Sequence, residues 1–194
     1  MAVISFIGFV GLSSLVQAQD SATYTIKPDV VYGHKDGMAL TMDVFEPKEN
    51  AKGVGVLFMV SGGWVSSWAP PEKAGARYEP LLKAGYTVIA VRHGSSPRYI
   101  IPEIAVDVRS ALKYISDHAS ELKIDPERLG VFGFSAGGHL SLLLGTRPDA
   151  SQPNGDQKSI PHVAAVVAVF PPTDLAPFVD PAGPMRERFP ALKF

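Results

Sequence analysis

The segment LGVFGFSAGGHLSLLLG, from Leu129 to Gly145, indicates the fold class because a strand pattern and a helix pattern meet within it. Its first part, LGVFGF, is a continuous apolar run, which is typical of a strand covered on both faces. Its second part, AGGHLSLLLG, predicts a helix that is stopped by Gly145 and Pro148. A buried strand that passes directly into a helix indicates an α/β protein.

The rest of the chain continues this alternation of strands and helices. Two strands, ATYTIKPDVVYG and MALTMDVFEP, are joined across an Asp36-Gly37 turn. Four buried strands are predicted at 53–60, 86–94, 128–134 and 162–170. Two further helices are predicted at 73–85 and 102–122. We therefore expect a three-layer αβα sandwich with a mostly parallel sheet.

The composition limits the classes of function. The 194 residues are 46% hydrophobic and 19% charged, which predicts a single folded domain with a sizeable core. The net charge of −1, without a basic or acidic tract, gives no indication of binding to nucleic acid or to an anionic membrane. The chain has no cysteine, and its histidines lack a ligand spacing such as H-E-x-x-H, so we expect no metal and no cofactor.

The N-terminal segment predicts export. An apolar run from Ala2 to about Val16 is followed by VQA, with Val16 and Ala18 at the two recognition positions of a signal peptidase. The usual basic residue near the N-terminus is missing, and a buried first element or a membrane anchor is the alternative. We assign residues 1–18 as a signal peptide and 19–194 as the folded domain, and we expect the protein to be secreted or periplasmic.

The serine at the junction lies in a G-x-S-x-G pattern, Gly133 to Gly137. This pattern between a strand and a helix is typical of a nucleophile elbow, in which a sharp turn presents the serine hydroxyl at the carboxyl end of the sheet. Glycines on both sides let the backbone turn without side-chain clash. We predict that Ser135 is a catalytic nucleophile; the alternative is a structural turn.

A second glycine-rich loop supports this prediction. Acyl transfer through a serine needs backbone N–H donors for the oxyanion, one from the residue after the nucleophile and one from a loop after an earlier strand. Ala136 would supply the first donor. Gly63 and Trp64, in SGGW directly after the strand at 53–60, would supply the second. Trp64 and Trp68 either wall a substrate pocket or pack in the core.

Five segments carry a resemblance to a known family: MVSGGW, AGYTVIAVRHG, VDVRSALKYI, IDPERLGVFGFSAGGHLSLLLG and AAVVAVFPPTDL. In this order they resemble the α/β-hydrolase esterases of the acetyl-xylan and feruloyl esterase-like group, which are related to hormone-sensitive-lipase and prolyl-oligopeptidase-type hydrolases. The resemblance covers about residues 22–180 and implies an ester substrate and a Ser–Asp–His triad without metal or cofactor. Ser61 departs from the family pattern, which usually has histidine there.

The sequence supplies no convincing base for Ser135. His139 is one helical turn away and is expected to pack or form a hydrogen bond, and His162 lies at the opposite edge of the sheet. His93 ends a strand at the correct edge but breaks the expected order of Ser, then Asp or Glu, then His. Asp174 either lines the cleft or caps a turn. We therefore expect a C-terminally truncated domain, with further strands, the acid and the base missing.

Together these features predict a serine carboxylic-ester hydrolase that forms an acyl-enzyme on Ser135. The expected substrates are acetyl or feruloyl esters of carbohydrate, or other small esters. A prolyl-oligopeptidase-type peptidase and a non-catalytic binding protein of the same fold are the alternatives. The sequence leaves the oligomeric state open.

Overall fold

A computed structural model describes residues 23–146, 161–180, 183 and 185. The predicted signal peptide, residues 1–18, lies outside the described residues. The strands are β1 (Tyr24–Lys35), β2 (Met38–Pro47), β3 (Gly55–Met59), β4 (Thr87–Val91), β5 (Leu129–Phe134) and β6 (Ala165–Val169). The helices are α1 (Pro71–Lys83), α2 (Ile101–Asp117), α3 (Ala136–Thr146) and α4 (Ala176–Val179).

The six strands form one sheet in the order β1-β2-β4-β3-β5-β6. Strands β1 and β2 form the predicted antiparallel hairpin, whose turn residues Asp36 and Gly37 both have positive φ angles, 47° and 79°. Strand β2 is antiparallel to β4, and the remaining pairs are parallel. The carboxyl ends of β3, β4 and β5 therefore lie side by side at one edge of the sheet.

Helices on both faces make the sheet the middle layer, as predicted. Strand β4 shows the arrangement: Val88 and Ala90 pack toward α1, together with Tyr78 and Leu82 of that helix. Ile89 and Val91 point to the opposite face, which is covered by α2 and α3. Fully burying each valine or isoleucine side chain is worth about 1.5–3 kcal/mol, so this alternation strongly favours one register. The predicted α/β class and three-layer architecture are confirmed.

Strand β6 corrects one prediction, because it is not buried on both faces. On one face Val166 packs against Gly145 of α3, where an added Cβ would overlap the valine. On the other face Val167 is 57% exposed. No helix among the described residues covers the face of β6 that carries Val167. This face instead lines an open apolar groove of about 610 Å³ between α1, β5 and β6. A continuous apolar run predicts the strand correctly but not the layer that covers it.

Helices α1 and α2 have bounds that differ from the predicted ones. Helix α1 begins two residues earlier than predicted, because proline at the first helical position is already in the required conformation, and it continues past Pro80. Helix α2 ends at Asp117 rather than at Leu122. After it, the Ile124 N–H donates to the Ala119 carbonyl (3.0 Å) in a turn that still buries Leu122 and Ile124. Within the described ranges, the helices are too short or too polar to cross a membrane.

Candidate active site

Ser135 is the single residue between β5 and α3, and its backbone makes the whole turn. Its φ angle of 51° lies in the left-handed region, which non-glycine residues rarely adopt. Its N–H donates to the Val169 carbonyl (3.0 Å), which extends the β5–β6 ladder, and its carbonyl accepts the His139 N–H (3.0 Å), which starts helix α3. Ser135 is exposed. The turn therefore presents its side chain at the carboxyl end of the sheet.

Glycines are required on both sides of this serine because backbone passes where a side chain would be. A Cβ atom on Gly133 would overlap the carbonyl group of Gly137 and lie 2.9 Å from the nitrogen of Gly138. A Cβ on Gly137 would lie 2.7 Å from the Met59 carbonyl oxygen, at the end of β3. The first turn of α3 therefore packs directly on the end of β3, where the second predicted loop begins.

That second loop forms a tight turn from Gly62 to Val65. The N–H of Gly62 donates to the Val65 carbonyl (2.9 Å), and the N–H of Val65 donates back to the Gly62 carbonyl (3.0 Å). The two central residues, Gly63 and Trp64, have φ angles of 57° and 58°. Positive φ at both positions defines a type I′ turn. Glycine adopts this conformation freely, whereas a tryptophan there costs about 1–3 kcal/mol.

The Trp64 side chain is part of the core and does not wall a pocket. It is 1% exposed, and its ring packs edge-on against Phe178, with centroids 5.5 Å apart. Its indole Nε1–H donates to His139 Nδ1 at 3.3 Å. Burial lowers the pKa of His139, which keeps the ring neutral at pH 7 and leaves Nδ1 able to accept. His139 thus forms a hydrogen bond, as expected, while Trp68 is the exposed tryptophan.

The segment that follows β4 forms hydrogen bonds with the loop that contains Trp64. The Ser66 N–H donates to Ser95 Oγ (2.9 Å), and Ser95 Oγ donates to the Ser66 carbonyl (3.2 Å). The Ser96 N–H donates to the Trp64 carbonyl (3.0 Å). Sequence reasoning missed Ser95 and Ser96, since neither belongs to a motif and the contact joins two loops that are distant in the chain.

The structure brings the predicted oxyanion donors to one edge of the sheet. Ala136 is the first residue of α3, so its N–H has no acceptor within the helix, and the helix N-terminus favours negative charge beside it. The loop that contains Gly63 and Trp64 starts against the same turn, because a Cβ on Gly137 would also lie 3.5 Å from the Ser61 carbonyl oxygen. This arrangement can bind an anion formed next to Ser135, and the catalytic roles of these residues stay predictions.

His93 is not brought to the serine. It follows β4, which is separated from β5 by β3, so the two strand ends are about 10 Å apart. Its Nδ1 lies 2.7 Å from the Gly94 carbonyl, and the buried Nε2 has no hydrogen-bond partner among the described residues. Burial lowers the pKa of His93. A neutral, enclosed ring at this distance does not reach the exposed hydroxyl of Ser135.

The structure also places Asp174, a candidate acid, and the three remaining histidines. Asp174 Oδ1 accepts a hydrogen bond from the N–H of Ala176 (2.9 Å), so Asp174 caps a turn. His162 is exposed and precedes β6, at the edge opposite Ser135. His118 stacks on Tyr114, with ring centroids 3.9 Å apart. The sequence contains five histidines, and the fifth, His34, is exposed on β1.

Comparison with known proteins agrees with this architecture. A family model described as BD-FAE matches residues 42–188. The protein named "Probable carboxylic ester hydrolase LipM" from Mycobacterium tuberculosis is 31% identical over 168 residues, which are 84% of this chain and 38% of LipM. Ethyl acetate hydrolase from Pseudomonas putida is 27% identical over 143 residues, 72% of this chain and 43% of that enzyme.

A solved structure gives the same result. It is a truncated form of a carbohydrate esterase from gut microbiota, 32% identical, with a TM-score of 0.63 over 79% of this chain and 59% of that one. These similarities confirm the α/β-hydrolase fold and the resemblance to esterases. The chain spans about two fifths of the length of the curated relatives it matches.

Proposed function

The chain belongs to the BD-FAE family, and we propose that it is a serine carboxylic-ester hydrolase that forms an acyl-enzyme on Ser135. One observation carries the proposal: an exposed serine occupies a left-handed strand-to-helix turn, with two sets of backbone donors at the same edge of the sheet. The relatives named as ester hydrolases support it. The comparisons favour neither the peptidase nor the non-catalytic binding protein.

The proposed reaction follows from this geometry. Ser135 Oγ attacks the ester carbonyl carbon, its proton passes to a base, and the carbonyl oxygen becomes an oxyanion. The N–H of Ala136, with the backbone N–H of Gly63 or Trp64, stabilises that oxyanion. Collapse of the tetrahedral intermediate expels the alcohol, which receives the proton back from the base, and leaves the acyl group on Ser135. Water, which gives its proton to the same base, then attacks the acyl group, and the acid is released as Ser135 regains its proton.

The base of this reaction is not one of the five histidines as the structure places them. His93 is enclosed, and Nδ1 of His139 is bound to Trp64. The proposal therefore assigns the base, and the acid that orients it, to polypeptide outside these 194 residues. Without a base a serine hydroxyl is a weak nucleophile at neutral pH, so we expect only residual turnover from the 194-residue chain.

We propose acetyl or feruloyl esters of carbohydrate, or other small esters, as substrates. The support is the pair of matched proteins described as a carbohydrate esterase and as an ethyl acetate hydrolase. Trp68, 60% exposed and four residues after Trp64, offers an aromatic face to a sugar or an aromatic group. A comparison of kcat/KM for acetylated xylan and for ethyl acetate distinguishes a carbohydrate ester from another small ester as the substrate, and turnover of neither would contradict the proposal.

The catalytic role of Ser135 is tested by labelling with a fluorophosphonate, followed by peptide mapping. We expect the label on Ser135 and its loss in Ser135→Ala. Ser110→Ala, a matched change of an exposed serine on α2, should keep the label. Absence of label on the 194-residue chain and on any longer form of the protein would overturn the proposal.

A turnover assay tests the assignment of the base separately. Rapid hydrolysis of p-nitrophenyl acetate by residues 19–194, abolished by Ser135→Ala, would show that this part of the chain holds its own base. That result would make His93 the candidate, and the loss of turnover in His93→Gln would then identify it. Slow, Ser135-dependent turnover is the result that we expect.

We also propose that the protein is exported to the periplasm or secreted. The support is the apolar run from Ala2 to Val16 followed by the small-residue pattern at Val16 and Ala18. N-terminal sequencing of the protein purified from its native cells should begin at Gln19. A mature protein that retains Met1 or Ala2 would contradict the assignment of a cleaved signal.

A further inference from the structure

Trp64 combines a strained backbone with a fixed side chain. Its φ of 58° places a large aromatic residue in a conformation that favours glycine. Such a conformation persists only where surrounding contacts hold it. Here the indole lies between His139 and Phe178, with ring centroids 5.6 Å and 5.5 Å away and both rings nearly perpendicular to it.

His139 connects this tryptophan to the nucleophile. Its own N–H donates to the Ser135 carbonyl (3.0 Å), so its backbone is fixed one helical turn after the serine. Its Nδ1 accepts the Trp64 indole N–H (3.3 Å). A short path of two hydrogen bonds therefore joins the backbone of Ser135 to the side chain of Trp64.

Two sets of hydrogen bonds attach the loop that contains Trp64 to two different parts of the protein. The bonds between Ser66 and Ser95, and between Ser96 and Trp64, attach it to the segment after β4. The bond from Trp64 to His139 is a side-chain hydrogen bond that attaches the loop to helix α3. The first set holds the loop at the sheet edge, whereas the second joins it to the helix that follows Ser135.

We propose that His139 is a positioning residue that holds the Gly63–Trp64 turn at a fixed distance from Ser135 through the indole N–H of Trp64. This inference rests on the proposed function, in which a backbone N–H of the turn donates to the oxyanion. His139 touches neither substrate nor the reacting atoms. It acts on the rate because a donor displaced by a fraction of an ångström stabilises the oxyanion less.

The first test measures the turn itself and does not depend on activity. Hydrogen exchange of the Gly62 and Val65 amides reports the two reciprocal bonds of the turn. We expect exchange to be about five- to tenfold faster in His139→Leu and in Trp64→Phe, since each removes one buried hydrogen bond. His118→Leu is the matched control, because it changes a histidine at the end of α2 and should leave these amides unchanged.

The second test measures catalysis of any Ser135-dependent ester hydrolysis. We expect His139→Leu and Trp64→Phe each to lower kcat about tenfold with KM nearly unchanged, because the oxyanion exists only beyond the ground state. The double variant should lose little more than either single variant, since both remove the same bond. His139→Gln, which restores an acceptor, should recover much of the loss.

The outcomes separate the two proposals. Unchanged amide exchange in both single variants overturns the positioning role, whatever the activity. Faster exchange combined with an unchanged kcat also overturns the positioning role, because loosening the turn would then have no effect on the reaction. Absence of Ser135-dependent hydrolysis contradicts the proposed function, and amide exchange alone then decides whether His139 holds the turn.

Discussion

Gly133 and Gly137 face each other across the turn at Ser135, so closely that a Cβ on Gly133 would overlap the Gly137 carbonyl group. The obstacle is backbone, which cannot rotate away as a flexible side chain could. We therefore expect Gly133→Ala to lower the free energy of unfolding by about 3 kcal/mol, at the upper end of the cost of overpacking. Urea denaturation followed by circular dichroism measures this change.

Gly33→Ala provides the matched control for this substitution. A Cβ on Gly33 would meet only Leu40 Cδ1, at 3.8 Å, which is ordinary van der Waals contact. We expect a change below about 1 kcal/mol. Equal effects at Gly33 and Gly133 would show that the close approach of the elbow glycines does not limit stability.

The buried ion pair between Asp43 and Arg92 makes a second prediction. Arg92 Nη2 lies 3.0 Å from Asp43 Oδ1, its Nη1 contacts the other carboxylate oxygen, and both side chains are buried. Asp43→Asn removes the buried counter-charge and leaves Arg92 with only the exposed carboxylate of Asp29, 2.8 Å from Nη2, which costs about 3 kcal/mol. Asp117→Asn, in the exposed Lys113–Asp117 pair, should cost less than about 0.5 kcal/mol. Similar losses in urea denaturation would refute the distinction.

Stability should fall in mild acid because His93 is buried. Burial lowers its pKa below the ordinary value of 6.5, the Gly94 carbonyl and Asp107 raise it, and Lys35 lowers it. Below pH 6.5 the unfolded chain therefore binds a proton that the folded chain does not. The free energy of unfolding then decreases as pH falls from 6.5 toward the folded-state pKa, by up to about 1.4 kcal/mol per pH unit.

This dependence is checked by denaturation at a series of pH values from 7.5 to about 4.5, with a variant that cannot titrate. His93→Gln should show a shallower decrease than the wild-type chain. His34→Gln, which changes an exposed histidine on β1, should follow the wild-type curve. A curve for His93→Gln that coincides with wild type would contradict a buried, neutral His93.

The open groove beside β6 predicts self-association. Val167 is 57% exposed on an apolar face shared with Phe132 and Ala165, and such surfaces promote contact between molecules. We expect Val167→Lys to shift the sedimentation-velocity profile toward the monomer. Val106→Lys, at an exposed valine on α2, serves as control and should leave the profile unchanged. An identical profile for all three proteins would refute this role of the groove.

Local features of the fold were predictable because neighbouring residues determine them. The Asp36-Gly37 turn fixed the hairpin, and strand β2 has the predicted bounds, Met38 to Pro47. Ser135 was found because its glycines and the adjoining strand and helix lie within one short segment. The position of β4 between β2 and β3 was not predictable, since strand order depends on how distant segments pack.

The features that escaped prediction depend on other parts of the chain. An apolar run such as AVVAV gives a strand, whereas the exposure of Val167 depends on whether another layer covers it. Nothing beside Trp64 in the sequence indicates a positive φ, because aromatic residues rarely adopt one. The bond to His139 joins a loop to helix α3, and these two segments, distant in the chain, meet only in the folded protein.

The separation of Trp64 and His139 along the chain has a consequence for biosynthesis. A ribosome completes the Gly62–Val65 turn and strand β4 long before it makes helix α3, at about 5–20 residues per second. Strand β3 pairs with β5 only after the intervening segment has been made, as the Gly55–Leu129 register requires. During these seconds the turn lacks its histidine contact, so the nascent polypeptide acquires the proposed arrangement of oxyanion donors only after α3 has emerged.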